Sequence, residues 1–295
     1  MACRRHHSRW RAGPGGGEEG ARPLIETDQA SWNGRKRVLT TRDERRLAFI
    51  ESGAGDVPLF LLHGYTDSSR SWSLIEPYLA GYRLVMPDLP GHGLSTAVPS
   101  PSLERLADDI IELADALGIA RFTVVGHSMG AITALVLAAR HRARVNALVS
   151  ICGSLTPSLL TQTVLGADIA ALTDPIDPDS PFLRAWHKCS LPVDEAFLQW
   201  LAREAALIPA AVWQALYAML ETADLSQVPA AVTAPVLLLA GDEDALFDAP
   251  HWAALRAGFP LAAMEVLVGH SHNPHWEAPA RVAASLAAFM KENSG

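Results

Sequence analysis

The sequence predicts an α/β domain, built on a mostly parallel sheet flanked by helices and interrupted by one helical insertion. Three observations carry this. Short apolar segments of strand length recur along the chain, helical patterns lie between several of them, and the alternation breaks once, from Ser154 to about Ala231.

Composition narrows the class. A chain of 295 residues with 49% hydrophobic and 19% charged residues has material for a sizeable core, which excludes disorder of the whole. The longest mostly apolar stretch, Met129 to Ala139, is shorter than the about 18 residues needed to span a bilayer, so no membrane partner is expected. Cys3, Cys152 and Cys189 are odd in number and scattered, which fits neither a disulfide framework nor a metal knuckle and points to a reducing cytoplasm. Charge is uneven: residues 1–46 carry 11 Lys/Arg and 6 Asp/Glu, residues 47–295 carry 13 and 26. An acidic body repels phosphate backbones, so nucleic acid is not an expected partner.

Residues 1–33 open on Arg4-Arg5-His6-His7 and run through Gly13-Pro14-Gly15-Gly16-Gly17-Glu18-Glu19-Gly20. Such a stretch cannot build a core and is expected to be a disordered tail. No apolar segment follows the arginine pair, so export is not expected. Residues 34–153 and 232–295 then read as one domain. Its strand candidates are Arg46 to Ile50, Leu59 to Leu62, Arg83 to Met86, Phe122 to Val125, Ala147 to Ile151, Val236 to Ala240 and Met264 to Val268. Most are continuous apolar runs, the mark of parallel strands covered on both faces.

Leu103, Leu106, Ala107, Ile110, Leu113, Ala114 and Leu117 follow helical spacing, and Gly118 supplies a C-cap. Met129 to Arg140 and Ala278 to Met290 read the same way. Residues 154–231 hold only Pro-punctuated helical pieces rich in Trp186, Phe197, Trp200, Trp213, Tyr217 and Met219. They form the helical insertion.

The segment Phe122-Thr123-Val124-Val125-Gly126-His127-Ser128-Met129-Gly130 is an apolar strand, then Gly-x-Ser-x-Gly, then a helical pattern. Side chains at Gly126 or Gly130 would clash across so sharp a turn, and the turn lifts the Ser128 hydroxyl above the sheet. The helix behind it points free N–H groups toward the place where an oxyanion forms. Ser128 is therefore the expected nucleophile.

With these motifs the sequence resembles the α/β-hydrolase superfamily, over about residues 36–152 and 232–292. Leu59-Phe60-Leu61-Leu62-His63-Gly64-Tyr65 is similar to the family's strand and oxyanion loop, and Met86-Pro87-Asp88-Leu89-Pro90-Gly91-His92-Gly93-Leu94-Ser95 to its following loop, where Asp88 and His92 have structural roles. The resemblance implies an eight-stranded sheet, a cap over the site in residues 154–231, and an oxyanion hole made by the backbone N–H groups of Tyr65 and Met129.

It also implies the order Ser, acid, His. Gly241-Asp242-Glu243-Asp244 resembles the family's acid turn and places the acid at Asp244, with Asp242 and Glu243 as competitors. Gly269-His270-Ser271-His272-Asn273-Pro274-His275-Trp276-Glu277 offers three histidines. Counting back from Pro274 gives His272 as the base, the assignment adopted here; counting forward from Gly269 gives His270.

His270, His272, His275 and Glu277 also suit zinc, but their spacing does not match a helical zinc motif and the serine machinery is complete without one. Neither metal nor cofactor is expected.

The insertion holds 9 acidic and 3 basic residues, which leaves no evident clamp for a polyanion. Asp174-Pro175-Ile176-Asp177-Pro178 and Phe182-Leu183-Arg184-Ala185-Trp186-His187 resemble lids of cofactor-free haloperoxidase-like hydrolases. The expected activity is hydrolysis of a carboxylic ester of a small to medium apolar molecule. C–C bond hydrolysis, lactone opening, thioester cleavage and perhydrolysis are open to the same residues, and a ligand-binding module without turnover is the rival of another class. Serine at the elbow argues against haloalkane dehalogenase and epoxide hydrolase chemistry, which uses an aspartate there.

Overall fold

A computed structural model describes residues 27–158 and 163–293. Its strands are β1 (Arg37–Thr40), β2 (Arg46–Ser52), β3 (Pro58–Leu62), β4 (Arg83–Pro87), β5 (Phe122–His127), β6 (Val145–Ile151), β7 (Val236–Gly241) and β8 (Ala263–Leu267). The helices of the sheet layer are α1 (Leu103–Ala116), α2 (Met129–Arg140), α7 (Ala249–Gly258), α8 (Pro274–Glu277) and α9 (Pro279–Glu292). Between β6 and β7 lie α3 (Thr163–Ala171), α4 (Pro181–Trp186), α5 (Glu195–Ala206) and α6 (Ala210–Glu221). No helix among the described residues is long and apolar enough to cross a membrane.

The strands form one sheet in the order β1-β2-β4-β3-β5-β6-β7-β8. β2 runs antiparallel to both of its neighbours, β1 and β4, and the pairings among the other six strands are parallel. The central runs are apolar throughout because alternate side chains enter two different cores. Phe60, Leu62, Phe122 and Val124 pack with α1 and α2 on one face. Leu59, Leu61 and Val125 pack with α9 on the other. The seven expected strands are present with ends moved by two residues or fewer. Ser102 caps α1 by accepting from the Arg105 N–H at 3.1 Å, and Gly118 ends it at φ 67°.

The first part of the expected tail, residues 1–26, lies outside the described residues. Its boundary at residue 33 is corrected. Trp32 is fully buried in the core beneath α9, and its indole N–H donates to the Ser69 hydroxyl at 3.2 Å. Arg35 stacks over the Trp32 ring and pairs with both oxygens of Glu76. The Lys36 ammonium lies 2.8 Å from Asp88 with both side chains fully buried. One large indole flanked by Ser31, Asn33 and Gly34 leaves no periodic trace, which is why sequence reading assigns it to the tail. β1 and α7 are unanticipated for a related reason: basic residues break the run in one, and in the other only Leu255 is buried.

Two buried histidines brace the loops above the sheet. His63 Nε2 accepts the Leu89 N–H at 2.8 Å, and its Nδ1–H donates to the Gly64 carbonyl at 2.8 Å. His92 Nε2 accepts the Thr66 N–H at 3.2 Å, and its Nδ1–H donates to the Pro90 carbonyl at 3.0 Å. The loops after β3 and β4 are thus cross-linked through neutral rings. A proton on either Nε2 would turn its acceptor into a donor facing an N–H.

Burial holds His63 and His275 well below the ordinary histidine value, and lowers His92 and His187 to about 4 and His127 to about 3. In the unfolded chain these rings take protons near pH 6.5, so the unfolded state binds more protons and stability falls as pH drops below that value. Asp67 acts in the opposite sense, because burial raises its carboxyl to about 7. Five rings outweigh one carboxyl. Urea unfolding at pH 5 should give a stability lower than at pH 7 by about 3 kcal/mol or more; equal midpoints at the two values would contradict it.

Candidate active site

The turn from β5 into α2 holds Ser128 at φ 50° and ψ −118°, a backbone conformation costly for a residue with a Cβ. Close packing enforces it. A Cβ on Gly126 would lie 2.2 Å from the Gly130 carbonyl oxygen, and one on Gly130 would lie 2.1 Å from that of Leu62. The first turn of α2 therefore rests directly on the end of β3. Ser128 N–H donates to the Ile151 carbonyl at 2.9 Å, tying the turn to β6 as well. The residue is buried but lines the wall of a pocket. Tyr65 lines the same pocket, and Met129 opens α2, where the first helical N–H groups have no partner within the helix.

Asp244 follows β7. Its Oδ1 accepts the N–H groups of Leu246 at 2.8 Å and Phe247 at 3.0 Å, while Oδ2 accepts from His272 Nδ1 at 2.8 Å. Burial pushes its carboxyl up, but attraction to His272 and these hydrogen bonds prevail and hold it below the usual range. Its competitors lie elsewhere. Asp242 is exposed and accepts the Gly269 N–H at 2.6 Å, and Glu243 is exposed.

The three histidines of the β8–α8 loop separate. His272 reaches Asp244 and lines the pocket with Ser128. His270 turns away, its Nδ1–H donating to the Val268 carbonyl at 2.9 Å. His275 is fully buried, with Nε2 3.0 Å from the Ser71 hydroxyl. Gly241 makes this placement possible, since a Cβ there would lie 2.2 Å from the Ser271 carbonyl oxygen and 2.3 Å from that of His270. The loop crosses the end of β7 at backbone contact. His127 then holds it from below, its Nε2–H donating to the His272 carbonyl at 2.8 Å. Glu277 accepts the Ser271 N–H at 2.8 Å and hydroxyl at 2.7 Å, and the Ser190 N–H of the insertion at 2.6 Å.

The insertion forms part of the pocket wall through Pro157, Trp186, His187 and Leu220. Tyr65 connects it to the loop after β3: its hydroxyl donates to the Trp213 carbonyl at 2.6 Å, and its ring meets Trp186 and Trp213 edge to face. Trp186 Nε1–H donates to Thr66 Oγ1 at 2.9 Å. Deeper in, Glu204 of α5 receives Arg70 at 2.7 and 2.9 Å, Ser68 at 2.6 Å and Asn33 at 2.9 Å. Asp67 and His187 also line the pocket; no motif marks Asp67, and His187 stands in the sequence only at the end of the lid-like segment Phe182 to His187, with no role attached to it.

His270, His272, His275 and Glu277 do not converge on one point, since each faces a different partner. Among the described residues, Cys152, Asp244 and His272 have donor atoms within 4.8 Å of one another. Burial, and then the Asp244 carboxylate, push the Cys152 thiol well up. A protonated thiol beside an Asp–His pair that already share a proton is a poor donor set for a metal ion.

Residues 59–285 match the alpha/beta hydrolase family. The chain is 30% identical over 259 residues to the dihydrolipoyllysine-residue acetyltransferase component of the acetoin cleaving system of Pseudomonas putida, with 84% of this chain and 68% of the relative covered. It is 26% identical over 252 residues to the pimeloyl-[acyl-carrier protein] methyl ester esterase of Yersinia enterocolitica, covering 82% of this chain and 96% of that one. The crystal structure of a hydrolase from Pseudomonas aeruginosa superposes with a TM-score of 0.77 at 26% identity, over 87% of this chain and 98% of the other. Sheet order, elbow and sequence match agree, and the chain belongs to the alpha/beta hydrolase family.

Proposed function

We propose that this hydrolase cleaves a carboxylic ester of a small to medium neutral molecule through an acyl-enzyme on Ser128. The observation that carries the reading is the His272–Asp244 hydrogen bond at 2.8 Å on a pocket whose wall also holds Ser128. A serine hydroxyl is a weak nucleophile and needs a base whose tautomer is fixed. Asp244 accepts the Nδ1 proton of His272, which leaves Nε2 free to take the Ser128 proton as the hydroxyl attacks the carbonyl. His272 then delivers that proton to the leaving alcohol. The N–H groups of Tyr65 and Met129 hold the oxyanion. Water activated by His272 releases the acid, and Asp244 stays ionised throughout.

The substrate class follows from the wall. Trp186, Leu220, Leu246, Phe247 and Trp276 make it largely apolar, and among the described residues no Lys or Arg lines it. An anionic carrier finds no partner there, so residues 154–231 serve as a cap for a neutral substrate. The esterase relative supports ester cleavage over the other reactions open to the same residues.

Ser128→Ala should remain folded and lose about four to six orders of magnitude in kcat on a chromogenic short-chain ester; unchanged turnover would end the serine reading. His272→Ala should lose a similar factor, and the Ser128→Ala/His272→Ala double variant should be little worse than either. His270→Ala should stay within about threefold of the unsubstituted protein, because its ring only touches its own loop. A large loss there with His272→Ala near normal would move the base to His270. Dialysis against EDTA should leave turnover intact; loss restored by zinc would favour the metal alternative.

A further inference from the structure

Beside Ser128 and His272, the largely apolar pocket wall carries the polar side chains of Tyr65, Asp67, His127, His187 and Asn273, and two of these, Asp67 and His187, stand out by how few partners they have. His187 follows α4 and is 5% exposed, and neither of its ring nitrogens makes a hydrogen bond. The Leu183 carbonyl is near enough to favour a proton on the ring, but lies outside hydrogen-bonding geometry. Asp67, in the loop after β3, is also 5% exposed. Its Oδ2 has the Ser71 hydroxyl at 3.3 Å, a long contact, and His127 Nδ1 at 4.0 Å, beyond a hydrogen bond; the Ser71 contact, His272 and the Gly64 backbone offset only part of its burial. Two buried polar groups with so little return sit on opposite parts of the fold, one on the insertion and one on the sheet layer. Both face the same pocket. Folding gains nothing from leaving them in this state, since each has lost water.

We infer that Asp67 and His187 form a polar subsite of the Ser128 pocket that selects substrates carrying a hydroxyl group in addition to the ester. The inference rests on the proposed function only in taking that pocket as the substrate's place. A neutral imidazole offers one donor and one acceptor, and which nitrogen plays which part depends on the tautomer. Burial raises the Asp67 carboxyl to about 7, so near neutral pH it is present both as acceptor and as donor. A hydroxyl donates and accepts, and so pairs with every one of these states. A carboxylate on the substrate would meet Asp67 with no Lys or Arg among the described residues of the wall, and a plain hydrocarbon would leave His187 unpaired and Asp67 with only its long Ser71 contact. Rejection of the substrate that lacks the partner is the strong form of such discrimination.

The test uses methyl phenylacetate as the parent ester, with methyl mandelate and the methyl esters of 3-hydroxyphenylacetate and 4-hydroxyphenylacetate as its hydroxylated relatives. Calorimetric titration of Ser128→Ala protein reads binding without turnover. At least one hydroxylated ester should bind tenfold or more tightly than the parent. Adding Asp67→Ala or His187→Phe should reduce that preference to within threefold while parent binding persists, which shows that the pocket is intact. His187→Asn, which keeps a donor and an acceptor, should retain part of it. Equal or weaker binding of every hydroxylated ester overturns the inference, as does a preference that survives either substitution. The protein with Ser128 intact should show the same order in kcat/KM. If it hydrolyses none of the four, the esterase reading fails while the binding ratios still decide the subsite.

Discussion

The whole site depends on one steric fact: α2 begins in backbone contact with the end of β3. Gly130 lies where any Cβ would strike the Leu62 carbonyl, and Gly126 where any Cβ would strike Gly130. That contact forces the chain through positive φ at Ser128. It also aims the start of the helix at the loop that carries Tyr65. Two elements otherwise separate in sequence are brought to one end of the pocket. The strain is local and small beside the burial of β3, β5 and α2, whose apolar side chains are almost all inaccessible to solvent.

A second constraint is that the loops over the sheet are held by uncharged rings. His63, His92 and His127 bond to backbone groups rather than to carboxylates, and each connects segments distant in sequence. A neutral imidazole can accept one backbone N–H and donate to one carbonyl in a dry space, which no cation can do. Rigid positioning of the Tyr65 and His272 loops is thereby bound to the protonation of groups outside the reacting centre.

Legibility in sequence follows from how far a constraint reaches. The elbow was readable because its steric demand falls on residues two apart, and the parallel strands because burial on both faces leaves unbroken apolar runs. His272 was distinguishable from His270 only through Pro274, which starts α8 and so anchors the count; it is the ring that reaches Asp244. Trp32, Lys36 and the Arg70–Glu204 pair could not be read, since each depends on a partner 37 to 134 positions away, with no local pattern. Asp67 was silent for the same reason, and His187 showed only as the end of a lid-like segment, without a role. An unpaired polar side chain becomes visible only once its surroundings are known.

β1 carries a further consequence. It is four residues long and closes one end of the sheet, where an open ladder invites pairing with another chain and, beyond that, aggregation. Arg37 leans across β2 to Glu51, and Lys36 is drawn inward to Asp88. A second copy approaching this border would have to strip water from Arg37 and stack its own arginine against it. Arg37, which helps hide the strand from sequence reading, thus opposes pairing at this edge, whereas Lys36 belongs to the interior, where a neutral substitution would leave Asp88 buried without its counter-charge.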